Sequence, residues 1–189
     1  MAVIMTAVAQ EIVDAAIAET KAWLRIETVQ DDAALAAACR SAIGMAEDFC
    51  AQILFRRAGR ETLSASTAWR RLVACPVSAI DAVASLAVDG TESALTVDAY
   101  AVDIDASGDG WVRLTPGSLE GGGFEAGGHE GRISVGLTAG IAEDWDGLPD
   151  PLKQGVVRLA AHLFAESGSG APPAIVTALW RPWRRMRVA

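Results

Sequence analysis

The chain has little of what most catalytic and metal sites are built from. It contains two histidines and three cysteines in 189 residues. Cys39, Cys50 and Cys75 form neither a Cys-x-x-Cys pair nor a set at metal-ligand spacing, so we expect small buried thiols. Walker, Gly-x-Ser-x-Gly, His-Glu-x-x-His and dinucleotide-binding motifs are also missing from the sequence. These absences disfavour the common enzyme classes and predict a protein without catalytic activity, metal or cofactor.

Long apolar runs are missing as well. No run approaches the roughly 20 residues needed to span a bilayer. The first residues, Met-Ala-Val-Ile-Met-Thr, lack the basic stretch and the cleavage site of a signal peptide. Because 51% of the residues are hydrophobic and 21% are charged, the composition predicts a folded, soluble protein made inside the cell, with no membrane partner.

Positive charge is scarce except at the C-terminus. The formal net charge is -8, but residues 180–189 carry four of the 16 Lys and Arg and no acid. This C-terminal segment also places Trp180 and Trp183 around Pro182, and Arg and Trp dominate the energetics of protein interfaces. We therefore predict that residues 180–189 form a docking tail on an acidic body. The alternative is that both tryptophans cover the chain's own helices.

Helices are predicted at both ends of the chain. Residues 14–26 favour a first helix, capped by Asp14 and contributing Ile17, Trp23 and Leu24 to the core. Asp31 or Asp32 caps a longer second helix. Its apolar positions recur at steps of four and three, the pattern of one buried helix face; they are Leu35, Cys39, Ala42, Ala46, Phe49 and Ile53. A third helix is expected after Pro149-Asp-Pro151, and a short last one from Ala174 to Leu179.

The middle of the chain predicts short strands. They are expected at Arg56–Leu63, Ala68–Ala74, Ala79–Val88, Ala99–Ile104, Trp111–Leu114 and Arg132–Thr138, separated by Gly, Asp and Pro turn signals. The predicted fold is α+β, a helical bundle with an inserted antiparallel β-rich region and an extended C-terminal tail. The predicted domain is 1–179, with helices about 14–54 and 150–179 and the insertion about 55–140.

A glycine-rich loop over residues 121–131 contains Phe124 and His129. A phosphate cradle is disfavoured because no helix start and no Lys-Ser/Thr pair follows it. We expect a hairpin tip that contacts a partner or lines a channel. The other histidine, His162, stands four residues before Glu166, which is two ligands without an evident third. A hydrolase or metal enzyme using His129 and His162 is thus a weaker alternative.

The motif Lys21-Ala-Trp-Leu-Arg-Ile-Glu27 is followed by Asp31-Asp-Ala-Ala-Leu35. This succession resembles the opening of the head–tail connector (adaptor) proteins of tailed phages, the phiE125-type family that includes gene transfer agent adaptors. Further resemblances lie at Pro76-Val-Ser-Ala-Ile80, Ser134-Val-Gly-Leu-Thr-Ala-Gly140, 148–165 and Leu179-Trp-Arg-Pro-Trp-Arg-Arg185. They cover nearly the whole chain in order, while each motif alone is short.

The resemblance implies a structural protein of the neck of a virion or phage-like particle, made in the bacterial cytoplasm. It implies a homo-oligomeric, typically dodecameric ring under the portal protein, with a tail stopper or terminator protein as the next partner. Duplex DNA would pass through the channel without specific binding, which suits an acidic wall. The C-terminal segment would bind the portal; its candidate residues are Trp180, Arg181, Trp183, Arg184, Arg185 and Arg187.

A different class of function stays open. The clustered arginines and tryptophans of the C-terminal segment are also the residue types that bind phosphates and stack on bases, as in a nucleic-acid-binding module with a cationic tail. The acidic body and the lack of a second basic cluster in the sequence disfavour this alternative.

Overall fold

The computed structural model describes residues 2–118, 131–165 and 170–186, which belong to two compact units. The sheet unit comprises residues 1–6 and 57–140, and the helical unit comprises 7–56 and 141–189. The described ranges contain four α-helices and eight strands, all strand pairs being antiparallel. The predicted α+β class is confirmed, whereas the division into a domain 1–179 and a tail 180–189 stays a prediction.

The helical unit is built around the helix with the clearest apolar periodicity. Its helices are α1 Gln10–Leu24, α2 Asp32–Cys50, α3 Asp150–Ala165 and α4 Ala174–Trp180. In α2, Leu35, Cys39, Ala42 and Ala46 are fully buried, and Phe49 packs partly buried against the same core. Ile53 lies beyond the helix, because Ala51 adopts a left-handed conformation that ends α2.

Helix α1 begins four residues earlier than predicted. Asp14 lies inside the helix, where its carboxylate accepts a hydrogen bond from the Gln10 side chain, so it is not the cap. The early start brings Ile12 and Val13 into the buried face. Trp23, which we expected in the core, is half exposed. The predicted boundary was therefore wrong, because it left out the first apolar pair of the buried face.

The sheet unit contains a five-stranded and a three-stranded sheet. Its strands are β1 Ala2–Met5, β2 Arg57–Ser64, β3 Arg70–Arg71, β4 Val77–Leu86, β5 Glu92–Ala94, β6 Tyr100–Ile104, β7 Gly110–Leu114 and β8 Arg132–Ala139. The orders are β1-β2-β8-β4-β5 and β3-β7-β6. Strands β1 and β5 were not predicted. Strand β1 is a short apolar run, and all three residues of β5 are exposed, so neither shows the alternation that identifies a half-buried strand.

Glu61 binds the C-terminal end of the segment Ala68–Ala74, which was predicted as one strand and forms a strand only at Arg70–Arg71. This β2 residue is fully buried, and its carboxylate accepts hydrogen bonds from the backbone N–H groups of Val73, at 2.7 and 2.8 Å, and of Ala74, at 3.1 Å. These donors are therefore satisfied by a side chain instead of a neighbouring strand. A buried carboxylate is stable only when it is hydrogen-bonded in this way.

Replacing Glu61 tests this role. Glu61→Ala leaves two backbone donors without their acceptor, the buried one of Ala74 and the part-buried one of Val73. A buried unpaired donor costs about 1–3 kcal/mol and a part-buried one less, so we expect the free energy of unfolding to fall by about 2–4 kcal/mol. Glu61→Gln keeps one acceptor oxygen and should lose less. Urea unfolding measures both, with Thr62→Ala on the same strand as the control. Equal stability of Glu61→Ala and the control would contradict this role.

Within the described ranges, no helix is long and apolar enough to cross a membrane.

Candidate functional site

The C-terminal segment is folded against the helical unit over its described part, residues 180–186. Helix α4 ends at Trp180, and Arg181–Trp183 form a single 3-10 turn. The backbone N–H of Arg185 then donates to the carbonyl oxygen of Cys50, the last residue of α2, at 2.9 Å. The side-chain amide of Gln52 donates to the carbonyl of Trp183. These residues are thus a turn held on the end of α2, where we expected an extended tail.

Trp180 belongs to the core of the helical unit. Its side chain is only 3% exposed, and its ring lies 5.9 Å from that of Phe49, centroid to centroid. Its indole N–H points to the carbonyl of Leu152, at 3.4 Å. Gly155 of α3 provides the space, because a Cβ atom built there would lie 2.0 Å from the indole nitrogen. A side chain so enclosed is not available to a partner, so the structure agrees with the alternative that Trp180 covers the chain's own helices.

The other members of the segment differ in exposure. Trp183 is partly buried against the same core, Arg185 is half-buried, and Arg181 and Arg184 are exposed. The Arg184 guanidinium lies 5.7 Å from the centre of the Phe49 ring, a cation–π distance. Arg187 lies outside the described residues. The surface that this segment offers is therefore cationic, with its indole rings turned inward.

The exposed arginines of the segment have charge available for a partner. Among the described residues, no carboxylate forms an ion pair with Arg181 or Arg184. Their neighbour Met186 is 89% exposed. Guanidinium groups bind carboxylates through paired, charge-assisted hydrogen bonds. We call the exposed residues Arg181, Arg184 and Met186 the arginine face; their side-chain types suit an acidic protein surface with an apolar element.

Cys50 lies beneath the segment. Burial raises the pKa of its thiol to about 11, and the thiol points to the Trp180 carbonyl at 3.9 Å. Only the thiolate reacts quickly with disulfide reagents, so both burial and the raised pKa protect this residue at neutral pH. Its reactivity thus reports whether the segment stays in place.

We expect a chain ending at Pro182 to label faster at Cys50 than the full chain, by tenfold or more. The shortened chain loses the Trp183 packing and the Arg185 hydrogen bond. A loss of about 1.4 kcal/mol in the stability of the closed segment raises the exposed fraction of Cys50 tenfold. Mass spectrometry after timed thiol labelling measures the rate at each cysteine. Buried Cys75 in the sheet unit is the internal control and should not change. A Cys50 rate equal in the two chains would show that the segment does not cover it.

Of the remaining candidates, His162 lies within the described ranges. Phe124, His129 and Glu166 lie outside the described residues. The Nε2 atom of His162 lies 3.3 Å from the carbonyl oxygen of Gly170. Within the described ranges, no three His, Cys, Asp or Glu side chains are placed to hold a metal ion.

Sequence reasoning gave the burial of Trp180 only as the alternative, although a signal for it was present. Val176 and Trp180 are four residues apart and both buried, so the apolar face of α4 continues to its last residue. Gly155 stands in the middle of α3, where glycine is unfavourable unless a neighbour needs the space. Together these two features indicate a large side chain packed on α3.

The arrangement of this fold is shared with solved structures. One match, described as the neck of an empty gene transfer agent (GTA) particle computed with C6 symmetry, has a TM-score of 0.75 and 27% identity. It covers 100% of this chain and 98% of the other. This chain is similar to neck proteins of gene transfer agents.

Two further structures agree with this similarity. A chain from the virion of a native gene transfer agent particle has a TM-score of 0.71 and 26% identity, covering 100% of this chain and 98% of its own. A chain from the neck of a native GTA particle computed with C12 symmetry has a TM-score of 0.69 and 27% identity, covering 98% and 97%. No protein-family model and no curated protein matches the chain. The similarities support a structural protein of a phage-like particle neck.

Proposed function

We propose that this protein is a head–tail connector, or adaptor, of a tailed phage or phage-like particle, located in the neck. Copies form a ring, of twelve in the simplest case, under the portal protein and extend the DNA channel toward a stopper or terminator protein. The observation that carries this proposal is the similarity to GTA neck chains over the full length of both chains. The C6 and C12 symmetries of those necks support a cyclic assembly.

The charge distribution supports the same proposal. The chain has a formal net charge of -8, and we propose that a ring of copies lines its channel with an acidic wall. Such a wall repels phosphate and lets duplex DNA move through without being trapped. The role is structural, with no catalytic step and no cofactor.

Within this function, we assign portal binding to the arginine face. Arg181 and Arg184 pair with acidic side chains of the portal, Met186 adds an apolar contact, and Arg185 and Arg187 add positive charge. Trp180 and Trp183 hold the segment on the helical unit so that the arginines are presented in a fixed geometry, which lowers the entropic cost of binding. A ring of identical contacts then multiplies a modest affinity per copy.

The experiment that tests this function is a binding measurement with two ligands. The full chain is titrated with the portal ring of the same particle and, separately, with duplex DNA at physiological salt. We expect saturable portal binding and no DNA binding, because contacts from one short cationic segment weaken steeply with salt. DNA binding that survives salt, without portal binding, would instead indicate a nucleic-acid-binding protein.

A further inference from the structure

A groove in the helical unit is not explained by portal binding. Its volume is about 360 Å³, and its lining comes from the end of α1, the middle of α3 and the start of α4. Trp23 and Ile175 line it and are 50% and 44% exposed, which leaves two large apolar side chains in contact with water. Aromatic side chains exposed in this way mark protein contacts more often than chance would give.

The groove is also cationic. The Arg158 guanidinium stacks 4.6 Å from the centre of the Trp23 ring, and among the described residues its buried Nε atom has no hydrogen-bond partner. His162 is a second basic lining residue, and among the described residues no carboxylate lines the groove. The occupant that fits is therefore an apolar side chain with a carboxylate beside it.

The chain itself carries such an element, in the turn between β4 and β5. Val88 at this turn is 83% exposed and precedes Asp89. The Asp89 carboxylate accepts a hydrogen bond from the backbone N–H of Thr91 at 2.8 Å. Gly90, at φ +89°, lets the chain reverse. That hydrogen bond lowers the pKa of Asp89, so the carboxylate is ionised at neutral pH. The turn thus offers an apolar side chain beside a carboxylate held in a fixed orientation.

We propose that the β4–β5 turn of one copy docks in the Trp23–Arg158 groove of the neighbouring copy in the ring. Val88 contacts Trp23 and Ile175, and Asp89 pairs with Arg158. This inference rests on the proposed function, since it supplies the contact between adjacent copies. Rings of more than two copies require two different surfaces on each copy, and the turn and the groove satisfy this requirement because they differ in shape and in charge. The attraction also opposes the general repulsion between copies that each carry a net charge of -8.

Disulfide trapping tests this contact without the portal. Val88→Cys and Ile175→Cys chains are made separately, mixed in concentrated solution and oxidised, so that a mixed disulfide forms only between copies. Val97→Cys replaces Val88→Cys as the control, because Val97 is also exposed, at 77%, and also precedes an aspartate, Asp98. The native cysteines are buried and should not interfere. We expect the Val88 pair to cross-link at least about tenfold faster than the Val97 pair.

Charge reversal provides the second measurement. Arg158→Glu in the Ile175→Cys chain, or Asp89→Arg in the Val88→Cys chain, should each lower the cross-linking rate by about tenfold, because like charges then meet. Mixing the two reversed chains should restore the rate. Equal rates for the Val88 and Val97 pairs, no cross-link in either, or no restoration would overturn the proposal.

A separate portal-binding assay distinguishes a failure of the proposed function from a failure of the proposed contact between copies. The Arg158→Glu chain should still bind the portal through its arginine face. Its binding should be less cooperative than that of the wild type, because neighbouring bound copies lose their contact. If the wild-type chain fails to bind the portal and the Val88 pair still cross-links, the proposed function fails and the contact between copies stands. If the portal is bound normally and the cross-link is absent, only this inference fails.

Discussion

Trp180→Ala should lower the free energy of unfolding by about 3–5 kcal/mol, the cost of removing a large aromatic side chain from a packed core. The ring is almost completely buried and contacts Phe49 and the backbone of α3. Its removal leaves a cavity and takes the indole donor away from the Leu152 carbonyl. Urea unfolding followed by far-UV circular dichroism measures the loss. The stability of Trp180→Phe should lie between those of the wild type and of Trp180→Ala.

Trp23→Ala is the matched control for this prediction. Trp23 is half exposed and stacks mainly on Arg158, so its removal should cost about 1 kcal/mol or less. Similar losses for Trp23→Ala and Trp180→Ala would mean that Trp180 is not a core residue.

Gly155→Ala provides an independent check of the same packing. In an open helix interior this change stabilises by about 0.5–1 kcal/mol, because alanine loses less backbone entropy on folding. Here the new methyl group would collide with the Trp180 indole, so we expect destabilisation. In a Trp180→Ala background the collision is gone, and the same substitution should become neutral or stabilising. A change of sign between the two backgrounds identifies a direct contact.

The burial of Trp180 also decides how the C-terminal segment can be tested. A chain ending at Leu179 removes a core residue together with the arginines, so its loss of portal binding would reflect unfolding as much as a missing contact. Point substitutions on the arginine face avoid this confusion, because Arg181 and Arg184 are exposed and, within the described ranges, have no acidic partner to lose.

Arg181→Glu together with Arg184→Glu should weaken portal binding by 100-fold or more, while stability falls by no more than about 1 kcal/mol through the lost Arg184–Phe49 contact. Each reversal replaces an attractive contact by a like-charge contact, at a cost of at least about 1.4 kcal/mol, or tenfold, per site. In a ring the loss of portal affinity is multiplied, since every copy carries both substitutions. Surface plasmon resonance on immobilised portal rings measures the affinity.

Two control variants distinguish a specific contact of the arginine face from general electrostatic attraction. Arg25→Glu with Arg40→Glu changes the net charge by the same amount at exposed positions on the helical unit, and it should bind nearly as the wild type does. Arg181→Lys with Arg184→Lys keeps the charge but loses the paired guanidinium geometry, so an intermediate affinity is expected. If the Arg25/Arg40 variant loses as much affinity as the Arg181/Arg184 variant, general electrostatic attraction explains the binding and the arginine face does not.

Much of the fold was predictable because its elements carry their own signals. The stripe of Leu35, Cys39, Ala42 and Ala46 identifies a buried helix face by spacing alone, and the structure confirms it. Strand β1 could not be found in this way, because four apolar residues at an edge become a strand only through pairing with β2, far along the chain. At the C-terminal end of the strand predicted over Ala68–Ala74, the backbone donors of Val73 and Ala74 bind the carboxylate of Glu61, a contact that no local pattern reveals.

The candidate site was predictable in composition but not in geometry. Four arginines and two tryptophans in ten residues identify the segment as unusual in an acidic chain. Which of them face outward depends on how α4 packs on α3, since that packing places Trp180 inside and leaves Arg181 and Arg184 outside. The Trp23–Arg158 groove was missed for the same reason, because its lining residues come together only in the folded helical unit.

Electron microscopy of the portal ring mixed with the full chain tests the central claim most directly. The account predicts a second ring beneath the portal, with residues 181–186 of each copy at the boundary between the two rings. A bound ring whose C-terminal segments face away from the portal would contradict the portal-binding role of the arginine face. A portal ring without any added density, even with the chain in large excess, would contradict the connector function itself.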